Sequence, residues 1–462
     1  MRRTKIVCTI GPASDHPDIL RAMMHAGMDG ARVNFSHGSG REQSERIARI
    51  RAVAESIGRT IAVIGDLAGP KLRTGALSRE SVVLRAGDPF ILTVKPVPGD
   101  WRAVSIASPD LTNAVKPGDT ILLSDGTIEL TVEHVGDGDV ATRVRVGGLL
   151  GAHKGINVPG RSLAIDAFTT KDREDLTAAV EQRLDWIALS FVRHVEDVRT
   201  ARAWMDRAGH RIPVIAKIEQ REAIAAISAI SDESDGLMVA RGDLGVETAL
   251  EDVPFYQKTV IANALSRGIP VITATQMLES MVDAPRPTRA EATDVATAVL
   301  DGTDALMLSE ETATGKYPVD AVRTMARIAE RADREIDEAR FLRREADTPA
   351  EAVSRAACAL AAEIRASAIL VPADDGTEPN QVSAYRPRQP VLAPTGDPRV
   401  AARLAITWGV VPVIHAADRR TPWFRRGVDH AKASGILLSG DCYVAVRPPD
   451  REQAGAIEVA YA

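Results

Sequence analysis

Six stretches of this sequence join an apolar run to polar and charged residues. They centre on Arg32-Val33-Asn34, Gly65-Asp66-Leu67, Lys217-Ile218-Glu219, Arg241-Gly242-Asp243, Ala274-Thr275-Gln276 and Ser309-Glu310-Glu311. Lys217 and Glu219 stand two apart in a strand-like run, which turns both side chains to one face. Glu219 and Asp243 then offer two carboxylates from successive runs. That donor set suits Mg²⁺, which keeps water and substrate oxygens in its shell and rarely takes an all-protein cage. Lys217, Arg32 and Arg73 add cations beside such an ion, and cations around a hard metal suit a phosphate-rich anion. Taken singly, each of these residues reads better as part of a structural ion-pair network. Their recurrence at the same end of successive apolar runs favours a ligand site.

The elements that must position them are legible as a rhythm. Short apolar runs at 5–10, 31–35, 60–64, 186–191, 213–218, 236–240, 270–274 and 305–308 are mostly uninterrupted, as in parallel strands buried on both faces. Between them, segments such as 41–54, 172–183 and 253–267 carry apolar residues at helical spacing. Eight strands alternating with helices predict a (β/α)₈ barrel, whose ligand sites lie at the C-terminal ends of the strands. From about 72 to 155 the rhythm changes to short alternating runs between turns such as Pro117-Gly118-Asp119 and Gly136-Asp137-Gly138-Asp139. This punctuation predicts a small all-β domain inserted after the third barrel strand. From about 348 a further α/β pattern begins, with a helix over 351–365 and strands near 368–371, 390–392, 411–414 and 443–446, which predicts a separate three-layer domain. The charged stretch 331–347 reads as a solvated helix leading into that boundary.

Composition closes off other functions. The chain has 462 residues with 57 Lys+Arg against 63 Asp+Glu, a formal charge of −6, and only 4% aromatic residues. A mildly acidic, aromatic-poor chain has neither the basic face nor the stacking surface of a nucleic-acid binder, and it lacks the basic face needed on an anionic membrane. No stretch approaches the roughly 18 apolar residues of a membrane span, and the apolar run at 6–10 is stopped by Gly11-Pro12, too soon for a signal-peptide core. The three cysteines lack any Cys-x-x-Cys spacing, which excludes a disulfide framework and points to a reducing cytoplasm. There is no His-Glu-x-x-His and no Gly-x-x-x-x-Gly-Lys-Ser/Thr loop.

The stretches TKIVCTIGPAS, RVNFSHG, GPKLRTG, HKGINVPG, ALSFVR, IAKIEQREAI, GLMVARGDLGVE, the long block from Val271 to Pro318, and VSAYRP resemble the pyruvate kinase family. The resemblance runs from the first strand into the last domain. It implies a TIM barrel with an inserted small β-barrel lid domain and a C-terminal α/β domain, divided as 1–70 and 156–345 for the barrel, 71–155 for the lid and 346–462 for the last domain. It implies transfer of the phosphoryl group of phosphoenolpyruvate to ADP, giving pyruvate and ATP. Glu219 and Asp243 would hold Mg²⁺ or Mn²⁺, Lys217 would stabilise the moving phosphoryl group, and Arg32 would hold the phosphate. Backbone N–H groups of Gly242 and Asp243 would take the substrate carboxylate, and Thr275 would relay a proton through water. Arg73 and Lys154 would contact the nucleotide phosphates, with Asn34 and His37 nearby. The usual family assembly is a homotetramer.

Two departures from the family pattern carry information. The family's potassium site maps to Asn34, Ser36, Asp66 and the carbonyl of Leu67, but here the usual Thr is Leu67 and the usual Glu is Lys71. A lysine ammonium is a tethered monovalent cation, so K⁺ is expected not to be required. The effector loop reads Pro372-Ala373-Asp374-Asp375-Gly376-Thr377-Glu378, and its carboxylates disfavour a sugar bisphosphate. Two other readings remain: a catalytically weak paralogue acting in ligand sensing or assembly, and a different phosphoenolpyruvate/pyruvate barrel enzyme. The first is opposed by the complete set of charged groups, the second by the presence of a nucleotide lid.

Overall fold

Eight apolar runs become eight parallel strands: β1 Lys5–Thr9, β2 Gly30–Asn34, β3 Ala62–Asp66, β4 Trp186–Leu189, β5 Val214–Ile218, β6 Gly236–Ala240, β7 Val271–Ala274 and β8 Ala305–Leu308. Each pairs with its neighbours in sequence, and β8 closes on β1. The computed structural model describes residues 2–36, 38–70, 72–106, 110–161, 166–182, 184–415, 423–447, 449 and 455–462. Seven of the eight strands are buried at every residue, which is why the sequence shows continuous apolar runs rather than alternation. One layer of side chains, including Val7, Ile64, Trp186, Ile215, Met238, Ile272 and Met307, fills the interior. A second, larger layer packs the strands against the surrounding helices. Val253–Arg267 is a helix over the expected span, and Gly40–Ser56 and Thr170–Glu181 match the other two within a few residues.

The insert leaves after β3 and builds a six-stranded sheet in the order Ile156–Asn157, Thr120–Leu123, Ile128–Gly136, Asp139–Val146, Pro89–Thr93, Ala103–Ser105. A two-stranded ladder of Ser81–Leu84 and Gly148–Gly151 accompanies it, and one apolar core gathers both. Its longest hairpin turns through Asp137 and Gly138, at φ 53° and 80°. Two successive left-handed residues are what a two-residue hairpin turn requires.

The C-terminal sheet runs Val410–Ile414, Val391–Thr395, Ala368–Leu370, Cys442–Arg447, Ala456–Tyr461, with apolar clusters on both faces. The last strand is one that the sequence pattern does not reveal. It lies antiparallel at the edge with every residue at least partly exposed, so it carries no apolar run.

The segment 331–347 corrects the sequence expectation. It is not one solvated helix. Pro318–Asp333 ends there and a short helix, Glu338–Leu342, follows. Asp333 is buried, accepting from the backbone N–H of Arg3 and Thr4 and from the Thr4 hydroxyl. Glu338 is buried too, and accepts from the Arg388 N–H. These two carboxylates tie the chain's first residues and the last domain to the barrel, while Arg331, Arg334, Glu335, Asp337 and Arg340 are exposed.

That domain is locked to the barrel floor. Arg386 is 1% exposed and pairs with Asp304 at 2.9 Å, while its guanidinium also donates to the Gly302 carbonyl at 2.7 Å. Ala405 and Ile406 join the barrel's interior cluster. A Cβ on Gly30 would lie 3.1 Å from Ile406 Cγ2, a tight approach that would force Ile406 to shift. The buried Lys5 ammonium donates to the Val410 carbonyl at 2.7 Å. Burial pushes the Lys5 pKa down from 10.5 to about 8, against a partial lift from Asp29.

The unfolded chain therefore holds a proton on Lys5 between pH 8 and 10.5 that the folded chain has largely lost. Stability from this group rises with pH across that window and carries its full cost below it. Relative to Lys5→Met, the wild-type protein should gain about 3 kcal/mol in denaturant unfolding between pH 7.5 and 10.5. Parallel pH profiles for the two proteins would contradict this assignment.

Candidate active site

The C-terminal ends of the barrel strands bring four buried charges into one chain of contacts. Arg32, near the end of β2, donates from Nε to Asp66 Oδ2 at 2.6 Å and from Nη1 to the Thr9 hydroxyl at 3.0 Å. Asp66 closes β3 and is 1% exposed. Lys217 Nζ, on β5, lies 3.2 Å from Asp66 Oδ1, 2.8 Å from Glu219 Oε1 and 2.7 Å from the Ser190 hydroxyl. Glu219 is fully buried, and its Oε2 accepts from the Phe191 N–H at 2.7 Å. Phe191 adopts φ 56°, a left-handed conformation uncommon for a bulky residue.

The electrostatics follow from this order. Burial would drive the Lys217 proton off, but Asp66 and Glu219 outweigh it and hold the ammonium charged. Burial would likewise raise Asp66, yet Arg32 and Lys217 keep its carboxyl below the usual range. Glu219 is raised by burial, with Lys217 opposing and the Asp243 carboxylate adding to the rise. Glu219 Oε1 touches the ammonium but accepts no hydrogen bond of regular geometry. A buried carboxylate oxygen with spare lone pairs, with a second carboxylate in its field, fits a divalent cation. Among the described residues no three His, Cys, Asp or Glu side chains converge on a metal-sized site, so such an ion would draw most of its shell from water and substrate.

Asp243 lies in the first turn of the helix Arg241–Glu247, which begins directly after β6. The Gly242 N–H donates to Thr275 Oγ1 at 2.7 Å, and that hydroxyl donates to the Ala274 carbonyl at 2.6 Å. The N–H expected for a substrate carboxylate and the hydroxyl expected for a proton relay are thus bonded to each other in this structure. Thr275 and Gln276 both have positive φ, 68° and 53°.

Arg73 and Lys154 sit at the neck where the insert leaves and rejoins the barrel. They are joined through a bridge between Arg73 and Gly155 and through the Thr74 N–H to the Lys154 carbonyl at 2.9 Å. Lys154 is exposed, and Arg73 Nη1 donates to the His153 carbonyl at 3.2 Å. The insert lies over the mouth. Asn157 Nδ2 donates to Glu247 Oε1 at 2.7 Å, and a Cβ on Gly126 would sit 3.8 Å from Val246 Cγ2.

Asn34 Oδ1 accepts from the Ser36 N–H at 3.0 Å, and the Leu67 carbonyl accepts from the Ser190 hydroxyl at 2.7 Å. His37 and Lys71 lie outside the described residues.

Sequence reasoning missed Ser190, Phe191 and the central place of Asp66. It placed Arg241 and Glu311 in strand-end stretches but gave them no role; the Arg241 guanidinium reaches the turn after β7, and Glu311 is a buried carboxylate that accepts from the Leu278 and Ser309 N–H groups. Their shared signal was position alone, each being within three residues of the end of a barrel strand.

Residues 1–322 match the family model described as pyruvate kinase, barrel domain, and residues 351–460 the one described as pyruvate kinase, alpha/beta domain. Pyruvate kinase 2 of Synechocystis sp. is 44% identical over 96% of this chain and 76% of its own length. The pyruvate kinase of Clostridium acetobutylicum is 42% identical over 96% of this chain and 95% of its own. That of Thermotoga maritima is 40% identical over 96% of each.

Replacing Asp66 with Asn removes the anion shared by Arg32 and Lys217 and leaves two desolvated cations facing each other. The barrel should lose about 3–5 kcal/mol, read as a lower denaturant midpoint. An unchanged midpoint would show that the two cations do not depend on Asp66.

Proposed function

The chain belongs to the pyruvate kinase family of phosphotransferases, and on that premise we propose that it transfers the phosphoryl group of phosphoenolpyruvate to ADP. The observation that carries this reading is the buried Lys217 ammonium, kept charged between Asp66 and Glu219. It is a fixed cation whose orientation is set before substrate arrives. Charge spread over the equatorial oxygens of a loose phosphoryl transition state is what such a cation stabilises.

Arg32, aligned by Asp66, takes the phosphate. Glu219 and Asp243 hold Mg²⁺ or Mn²⁺, which when bound supplies Lewis-acid neutralisation of phosphate oxygens. The Gly242 and Asp243 N–H groups take the substrate carboxylate, and the Thr275 hydroxyl gives up its bond from Gly242 as they do so. The P–O bond to the enol oxygen breaks as a bond to the β-phosphate oxygen of ADP forms. The enolate left behind takes a proton at carbon through Thr275 and water. Arg73 and Lys154 hold the nucleotide phosphates at the neck, Asn34 and His37 are the further candidates for nucleotide contact, and the docked insert limits access of water.

K⁺ is not required in this reading. The oxygens at the corresponding positions already have internal donors: Ser36 N–H for Asn34, Arg32 and Lys217 for Asp66, and Ser190 for the Leu67 carbonyl. Lys71 supplies the remaining charge. The chain works as a homotetramer in the cytoplasm. Large exposed apolar side chains at Leu250, Phe255 and Tyr461 support burial against further subunits, and the unpaired cysteines support a reducing compartment. No described helix is long and apolar enough to cross a membrane. The insert over roughly 71–155 acts as the lid, between barrel parts 1–70 and 156–345, with 346–462 as the effector and interface domain.

Two measurements test this. Lys217→Met should lower kcat for phosphoenolpyruvate plus ADP by roughly 10²–10³-fold or more, whereas activity retained within a few-fold would remove the proposal's central residue. Exchanging K⁺ for a tetraalkylammonium ion should leave kcat essentially unchanged, and a many-fold loss would restore a potassium site.

A further inference from the structure

Thr275 and Gln276 hold left-handed backbone conformations in succession, and one of them is β-branched. Such a pair persists only when its surroundings over-determine it. The restraint comes from the neighbouring strand. Arg241, at the end of β6, reaches across to the turn after β7 and fans its donors over three consecutive carbonyls. Nε donates to Ala274 at 3.3 Å, and Nη2 donates to Thr275 at 2.7 Å and Gln276 at 3.4 Å. The guanidinium is itself fixed from behind, by Asp294 Oδ1 at 2.7 Å and Gln257 Oε1 at 3.4 Å from Nη1. Only 10% of the side chain is exposed. The next residue, Gly242, holds the Thr275 hydroxyl through its N–H. Residues 241 and 242 therefore grip Thr275 at both its carbonyl and its Oγ1.

We propose that Arg241 is the positioning residue that aims the Thr275 hydroxyl at the substrate carbon, an inference that rests on the function proposed above. Arg241 acts through Thr275 rather than on the substrate, because its donors are spent on the turn and on Asp294. In the protonation step, a C–H bond forms at the enolate methylene carbon as the Thr275 O–H bond breaks and Oγ1 takes a replacement proton from the relay water in the same step, that water being reprotonated from solvent. A planar fork of five donors can serve several carbonyls and a carboxylate together, which the three donors of a lysine ammonium do only in part. Without the fork the strained turn relaxes, Oγ1 moves, and proton transfer slows, while the groups assigned to phosphate and nucleotide stay in place.

The test follows exchange of pyruvate methyl hydrogens in D₂O by proton NMR, with Mg²⁺ and ATP present, beside steady-state turnover of phosphoenolpyruvate and ADP. Arg241→Met should slow exchange by roughly 10–100-fold, the scale expected for misplacing a catalytic group by about 1 Å. kcat should fall with it, and KM for phosphoenolpyruvate and ADP should stay near wild type. Arg241→Lys should recover part of the exchange. Asp294→Asn, which keeps the arginine but loosens it, should move the same way by less, and it covers the case in which the methionine variant fails to fold. Wild-type exchange in Arg241→Met, or a rise in both KM values matching the fall in kcat with no recovery by lysine, overturns the proposal. A wild-type protein that neither turns over nor exchanges overturns the proposed function instead.

Discussion

The alternation of charge along Arg32, Asp66, Lys217 and Glu219 is the constraint on which the rest of the site depends. All four are largely withdrawn from water, and each is tolerable only because the next has the opposite sign. They come from β2, β3 and the end of β5, and after β4 the Ser190 hydroxyl accepts from Lys217 while the Phe191 N–H donates to Glu219. The series can therefore exist only once the barrel has closed, which fixes where the strands must end and why their final residues are polar after an apolar run. At one end it leaves a Glu219 oxygen without a hydrogen bond of regular geometry, in the field of the Asp243 carboxylate.

A second constraint is backbone strain. Phe191, Thr275 and Gln276 take up left-handed conformations beside the charge series. Each is held by a hydrogen bond to a residue of an adjacent strand or its loop: Glu219 for Phe191, and Arg241 and Gly242 for the turn after β7. Rigid strands, strained loops and side chains that span between them form one connected object, and this is what allows a catalytic geometry to be present before the ligands are. The insert meets this object at its edge. Its neck carries Arg73 and Lys154, and it meets the barrel mouth where Asn157 bonds to Glu247 and where Gly126 lies beside Val246.

Much of this was legible in the amino-acid sequence because barrel strands leave a local signature. The eight apolar runs, the turn-rich insert and the placing of Lys217 and Glu219 on one face all follow from periodicity and spacing. Asp66 was legible as a site residue but not as the partner of Arg32 and Lys217, since that pairing joins strands that meet only on closure. Arg241 and Phe191 were hidden for a different reason. A left-handed φ at a non-glycine residue leaves no mark in composition, and an arginine that serves carbonyls looks like one that serves solvent. The stretch 331–347 misled because Asp333 is buried against the chain's start, more than 300 positions away in sequence, and Glu338 against the last domain.

Ile406 reaches from the last domain into the barrel's interior layer, against the bare backbone of Gly30. The inner surface begun by the first strand is therefore finished by atoms near the other end of the polypeptide. During synthesis, all eight strands emerge from the ribosome well before the residue that stops up their base. A nascent barrel must wait, with part of its interior open to water, for translation to run on through almost another hundred codons before its packing is complete.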